Sequence, residues 1–361
     1  MRREDRHQVE KGRGAVSNPA GRFEATRLEA ADDGWGCLDE PPRRPETVLL
    51  ADRPRHAITR NTSPDVPFDQ SVNPYQGCEH GCIYCFARPS HGYWNLGAGL
   101  DFETRIFHKP GLAQLLDREL AAPGYECKPI NLGANTDPYQ QAEREHGTTR
   151  ALLEVLLAHR HPVTIVTKGA LILRDLDLLA ALSRQQLCSV AVSLTTLDDD
   201  LKRTLEPRAA APRARLRVIR ELVAAGVPVT VLLAPMIPAL NDHEMEQLLQ
   251  AAAEAGARNA GFMLLRLPHE LGTLFEQWLR EHYPQRADRV LNLLRDARGG
   301  RLNDPRFGHR MRGEGPYAVL LAARFKAACR RFGLNEARGP ELDCSRFIRD
   351  PGAPQQGELF G

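Results

Sequence analysis

Three cysteines, Cys78, Cys82 and Cys85, fall within one short run, NPYQGCEHGCIYCFARPS, spaced CX3CX2C, with glycines at 77 and 81. Thiolates are soft ligands, and three of them on one glycine-punctuated loop can converge on a single inorganic centre. An iron–sulfur cluster takes such ligands, and a four-iron cluster held by three cysteines leaves one iron without a protein ligand, which is a place for chemistry. Structural zinc is a second reading. It prefers paired CX2C half-sites, and with no second pair in the chain, His80 or a distant His or Cys would have to complete the set. Plain core cysteines are a third reading.

A loop of this kind has to be held by regular elements. After about residue 67, short apolar, β-branched runs alternate with helical patterns: KPINLGAN (128–135), PVTIVTKG (162–169), CSVAVSLTT (188–196), VPVTVLLAP (227–235) and AGFMLLRLP (260–268). Runs apolar on both faces predict parallel strands covered by helices. Thr148 to His159 sets Leu152, Leu153, Leu156 and Leu157 on one helical face. A helix over Pro212 to Ala225 opens on proline and closes at Gly226, and another runs from an Asn241 or Asp242 cap to Ala255 and Gly256. With one more strand near Gln70 to Pro74, directly before the cysteines, the chain holds about six βα units. The expected fold is α/β, a partial TIM-type (βα)6 barrel of parallel strands, with a doubly wound open sheet as the rival. In either fold the functional loops sit at the carboxyl ends of the strands.

The expected organisation is a charged, poorly ordered N-terminal extension over 1–65, a core barrel over 66–295, and a C-terminal region over 296–361 with a helix near Tyr317 to Phe332 and a flexible tail. Residues 1–65 carry 12 basic and 12 acidic side chains and six prolines, with Val48 to Ala51 as a short apolar run able to dock on the body. The whole chain has 361 residues, 42% hydrophobic and 26% charged, with a net charge of +2. That balance excludes a polybasic nucleic-acid coat, so any nucleic-acid contact must be local. The longest uncharged apolar stretch, Val227 to Leu240, has 14 residues and three prolines and is too short and too broken to span a bilayer. The first residues lack the apolar core of a secretory signal. Eight cysteines, three of them clustered, fit a metal site in a reducing compartment better than a disulfide framework. A soluble, cytoplasmic protein is expected.

The CX3CX2C motif, with Tyr84 before its last cysteine and at the end of the first strand of a six-fold βα pattern, resembles the radical S-adenosylmethionine (SAM) superfamily. The resemblance spans about residues 67–295. It implies that Cys78, Cys82 and Cys85 hold a [4Fe-4S] cluster whose open iron is chelated by SAM. Reductive cleavage of SAM then gives a 5′-deoxyadenosyl radical that abstracts hydrogen from substrate. NPYQGCEHGCIYCFARPSH and GANTDPYQ together are similar to the spore photoproduct lyase branch, described as DNA repair photolyase-like. That likeness implies a nucleic-acid substrate and a lyase-like repair reaction. Alternatives are radical modification of RNA, protein or a metabolite, or a non-catalytic zinc- or cluster-stabilised nucleic-acid binding module. The branch carries a hydrogen-donating cysteine near the place of Asn135, and this chain has none there; Cys127 lies eight residues upstream, before the strand.

The same resemblance assigns SAM contacts to other strand ends. Asn135 and Asp137 follow Gly133 where the superfamily touches the SAM amino group, although an Asx turn closed by Pro138 explains the composition too. Ser193 stands where members bond the ribose or carboxylate, with back-bonding to its own chain as the competing account. In EPRAAAPRARLRVIR, Arg215 is the first candidate for the SAM carboxylate, against a plain surface arginine. Lys168 and Asn241 end on the functional side, Met236 and Ile237 read as core, and Arg266 closes an apolar strand where a charge calls for an anionic partner.

Residues 296–315 hold five arginines interleaved with Phe307 and glycines, either a phosphate-contacting loop or a solvated one. The C-terminal QQGELFG sets Gln356, Leu359 and Phe360 in a pattern resembling peptides that bind the sliding clamp. The expected partners are a flavodoxin- or ferredoxin-like one-electron reductant, DNA or RNA, and a sliding clamp, with no membrane.

Overall fold

The computed structural model describes residues 9–23, 46–337, 339 and 341–352. Six parallel strands carry the fold: β1 (Gln70–Val72), β2 (Ile130–Leu132), β3 (Val163–Thr167), β4 (Cys188–Ser193), β5 (Val229–Met236) and β6 (Asn259–Leu264). Each pairs with the next in sequence order, from β1 with β2 to β5 with β6. A doubly wound sheet reverses strand order at a switch point, and here no reversal occurs among the described residues. The crossovers therefore all wrap one way and curl the sheet toward a barrel. β1 and β6 do not pair, so the barrel stays open; the short strand Thr59–Arg60 lies antiparallel along the outer edge of β1.

Helices α1 (Leu112–Ala121), α2 (Thr148–Ala158), α3 (Leu176–Arg184), α4 (Pro212–Ala224) and α5 (Met245–Glu254) fill the crossovers. Each buries an apolar stripe against the sheet, as Leu152, Leu153 and Leu156 do on α2; Leu157 is only half-buried. α4 starts on a proline, whose missing N–H has no helical partner to lose. Full burial of a leucine is worth about 2 kcal/mol, so these stripes hold the helices in place.

Three features frame the cysteine run. Val48–Ala51, the run expected to dock, pairs in parallel with Arg105–His108, which pairs in turn with Tyr75–Gln76 directly before the cysteines. Helices α6 (Leu271–His282) and α7 (Pro284–Asp296) follow β6 and build a second core around Phe275, Trp278, Leu279 and Val290. That core takes in Cys82, Ile83 and Tyr84 on one side and Ala15 and Val16 on the other. Composition alone made 1–65 a loose extension, yet Arg13 to Ser17 are buried in the structure. Small side chains let this segment lie flat on the body, and a Cβ at Gly14 would overlap the Gly81 carbonyl. α8 (Gly315–Arg331) starts two residues earlier than the sequence pattern placed it. It packs on α5 and β6 through Phe325 against Phe262 and Arg324 on Glu246. No helix among the described residues is long and apolar enough to cross a membrane.

Candidate active site

The cysteine loop leaves β1 at the carboxyl end of the sheet and is pinned along its whole length. Cys78 N–H donates to the Phe102 carbonyl (3.0 Å), and Glu79 N–H donates to Gln140 Oε1 (2.8 Å). Thr136 Oγ1 donates to the Gly77 carbonyl (2.6 Å), which ties the end of β2 to the loop. Gly81 has a φ of +68°, and a Cβ there would stand 2.7 Å from Glu103 Oε2, so this turn needs glycine. Beneath the loop, Arg88 donates to the carbonyls of Cys82, Gly81, Ala98 and Gly99 and pairs with Glu103. Glu103 also accepts from the N–H groups of Gly14 (2.9 Å) and Ala15 (2.8 Å). One buried ion pair thus fastens the cysteine loop to the N-terminal segment.

The three thiols are free, with Cys78 and Cys82 buried and Cys85 half-buried. Burial and the neighbouring acidic and thiol groups push Cys78 well above its ordinary range. Burial, with Glu206 close by, pushes Cys82 up to about 12. Thiolates in this place need a positive centre, and a bound metal deprotonates its thiols outright. No three His, Cys, Asp or Glu side chains among the described residues converge tightly enough for one metal ion. A single zinc would draw its thiolates into one tetrahedron with bonds of about 2.3 Å, whereas a four-iron cube takes them at separate corners. Three thiols on one loop suit such a cluster, three of whose irons each take one thiolate.

Around the trio, the strand ends supply a charged network. Thr195 Oγ1 donates to Glu206 Oε1 (2.7 Å), as does the Tyr84 hydroxyl, while Arg215 pairs with Glu206 Oε2. Burial opposes ionisation of Glu206, but Arg215 and Lys168 outweigh it and hold its pKa down at about 2. Arg215 also donates to the carbonyls of Ala210 (2.8 Å) and Ser193 (3.1 Å). Its charge is met inside the protein, which departs from the sequence expectation of a carboxylate-binding arginine. Glu206 lies on the same EPRAAAPRAR run, and the turn through Pro207 and Pro212 folds it back onto Arg215.

Asp137 takes the Asx-turn alternative. Its Oδ1 accepts from Tyr139 N–H (2.9 Å) and Thr167 Oγ1 (2.7 Å), and its Oδ2 from Lys168 N–H (2.8 Å), with His80 Nδ1 at 3.3 Å. Burial works against its charge, but His80 and these hydrogen bonds hold the carboxyl below its usual range. Asn135 donates through Nδ2 to Ser90 Oγ (3.2 Å) and Gln76 Oε1 (3.4 Å), which leaves its Oδ1 without a partner among the described residues. The hydroxyl of Ser193, a buried residue, likewise makes no hydrogen bond among the described residues. Asn241 links the ends of β4 and β5 through the Thr195 and Pro235 carbonyls, and Met236 and Ile237 are core.

Two cations flank the trio with no hydrogen-bonded partner among the described residues. Lys168, at the end of β3, holds its amine 5.7 Å from the Tyr84 ring centroid. Burial opposes its charge, but Cys82 and Glu206 raise its pKa, so it stays protonated. Arg266, beyond β6, does not find the anion its position calls for, because Asp65 is bonded to Arg310 Nε (2.5 Å) and Gly308 N–H (2.7 Å). The remaining described cysteines lie elsewhere. Cys188 starts β4, Cys329 is on α8, and Cys127, before β2, lies beside Cys344 at the entering end of the sheet.

Comparison with known proteins agrees with this layout. The profile of the radical SAM superfamily matches residues 72–252. An uncharacterised protein of Mycobacterium tuberculosis is 39% identical over 232 residues, 64% of this chain and 68% of its own. One of Methanocaldococcus jannaschii is 24% identical over 221 residues, 61% of this chain and 79% of its own. Among solved structures, spore photoproduct lyase complexed with dinucleoside spore photoproduct shares the fold, with a TM-score of 0.58 at 15% identity, over 79% of this chain and 80% of that one. With the cysteine trio at the exit of β1, an open six-strand barrel and the profile match, the chain belongs to the radical SAM superfamily of enzymes, whose cofactors are a [4Fe-4S] cluster and SAM.

Proposed function

We propose that this enzyme abstracts hydrogen from a nucleic acid, with lyase-like repair of a base lesion as the favoured reaction. The reading rests on the cysteine trio, set between a lysine and an arginine that form no hydrogen bond among the described residues, at the carboxyl ends of the strands. The fold is shared with spore photoproduct lyase, one structure of which holds a dinucleoside photoproduct. When bound and reduced, the cluster would supply one-electron cleavage of SAM to methionine and a hydrogen-abstracting 5′-deoxyadenosyl group. Cys78, Cys82 and Cys85 would hold the cluster. Lys168, and not Arg215, would face the SAM carboxylate; Ser193 and Asn135 Oδ1 would meet its remaining polar groups. Asp137 would shape the turn that presents Asn135. A flavodoxin- or ferredoxin-like protein would supply the electron, in the cytoplasm.

A second reading draws on Asn135. The lyase branch carries a thiol near this place, and the other described cysteines are remote from the trio. That favours modification of RNA, protein or a metabolite over reversal of a lesion. Anaerobic reconstitution followed by reduction with SAM tests the shared chemistry: about four irons per chain and release of 5′-deoxyadenosine are expected. Cys82→Ala should lose both while keeping the fold by circular dichroism. Full iron content or activity in that variant overturns the ligand assignment. Screening damaged and intact DNA and RNA for stimulated 5′-deoxyadenosine release, with deuterium tracking, separates the two substrate readings. Gln356, Leu359 and Phe360 lie outside the described residues. Their docking on a sliding clamp is a further proposal, tested by titrating the terminal peptide.

A further inference from the structure

The two unpartnered cations at the trio are not equivalent. Lys168 sits on the Cys82 side, against Tyr84, Glu206 and the strand-end hydroxyls. Arg266 sits on the Cys85 side, where its guanidinium covers the ring of Phe86, 4.9 Å from the centroid. Its Nε is buried with no acceptor, and its terminal nitrogens donate no hydrogen bond among the described residues. The negative groups near enough to act on it are Asp65, already held by Arg310, and the Cys85 thiol when ionised. Arg266 is half-buried, and burying its Nε without an acceptor is costly, so the site has room for an anion.

Its surroundings say what completes it. Phe86, immediately after Cys85, is 45% exposed. Beside Arg266 stands a second pair of the same kind, Arg310 over Phe307 at 4.6 Å, and Phe307 is 56% exposed. Arg310 is neutralised by Asp65, so the charge open to a ligand is that of Arg266. Two exposed rings, each braced by an arginine, beside one unmet guanidinium suit bases that stack and a phosphate that takes the fork. In the reading above, the SAM carboxylate would lie on the Lys168 side. We infer that Arg266, braced on Phe86, is a binding site for a backbone phosphate of a single-stranded or flipped-out nucleic acid segment, at the rim of the cysteine trio. This rests on the nucleic-acid reading above and assigns that substrate its first contact. Two of the other arginines of residues 296–315 contribute less, since Arg306 pairs with Asp304 and Glu314 and Arg298 caps the carbonyls of Leu264 and Leu265.

The test uses the full chain, anaerobically reconstituted, with fluorescein-labelled oligothymidylate followed by anisotropy over a salt series. Arg266→Ala should bind about tenfold more weakly, as expected for a lost charge-assisted hydrogen bond. The slope of log affinity against log salt should become shallower by about 0.7, one phosphate contact on a single strand. Arg266→Lys should restore the slope but not the full affinity, and Phe86→Leu should weaken binding with the slope unchanged. The visible spectrum of the cluster and SAM affinity by equilibrium dialysis should match the wild type in each variant. Should Arg266→Ala unfold, the lysine and leucine variants carry the test. Unchanged oligonucleotide affinity in Arg266→Ala, or a loss of SAM affinity with oligonucleotide binding intact, overturns the inference while leaving the nucleic-acid reading standing. A wild-type protein that binds no oligonucleotide at low salt ends both, without touching the cysteine chemistry.

Discussion

Arg88 and Glu103, neither exposed to solvent, form an ion pair with nitrogen and oxygen 2.5 Å apart directly under the cysteine loop. The other four N–H groups of the arginine all donate to carbonyls, and the glutamate also accepts from two backbone N–H groups. Such a pair adds little net stability over an apolar replacement, but losing one partner strands the other.

Glu103→Ala should therefore destabilise the protein by about 3–5 kcal/mol in urea unfolding. It should also lower iron uptake, because Arg88 would no longer be fixed beneath Cys82. Glu103→Gln, which keeps the shape and loses the charge, should fall between. Iron content per folded chain checks the second effect separately from the first.

Lys168→Ala should weaken SAM binding on the order of 10–100-fold, the scale of a charge-assisted hydrogen bond in a secluded site. Equilibrium dialysis with SAM reads this directly, and the cluster's absorption reports that the trio is intact. Arg215→Ala should behave differently and lose fold stability first, because it leaves Glu206 buried and unpaired.

The strands were legible because they are apolar on both faces, and the cysteine loop because residue type and spacing alone identify it. What escaped was contact at long range. Arg215 looked free for a ligand because nothing in the spacing shows that Glu206 turns back onto it. Lys168 carries no motif, and its availability shows only in the structure, where its amine donates no hydrogen bond among the described residues. The burial of Arg13 to Ser17 was hidden by the charged composition around them, although the run GRGAVS is small and nearly uncharged. α6 and α7 were missed because no seventh strand among the described residues follows them to set a βα period.

Acid should weaken the fold through His161. The ring is buried, with Nδ1 2.9 Å from the Pro162 carbonyl and Nε2 2.7 Å from the Tyr125 hydroxyl. Burial, with His159 adding to it, lowers its pKa from 6.5 to about 4. The unfolded chain therefore takes up a proton in this window while the folded chain does not. Stability is complete above about pH 6.5 and is lost as the pH falls toward 4, by about 3 kcal/mol at most. His161→Gln should flatten that slope in unfolding curves taken across the same range.

Ser17 bonds to Gln277 across 260 positions, and Ala15 and Val16 share a core with Cys82 and Trp278. Ser17 and its neighbours thus wait for a helix made 260 positions later before they can settle. The pocket of the cysteine trio has no finished floor until that helix exists, so loading with iron and sulfide should follow its synthesis.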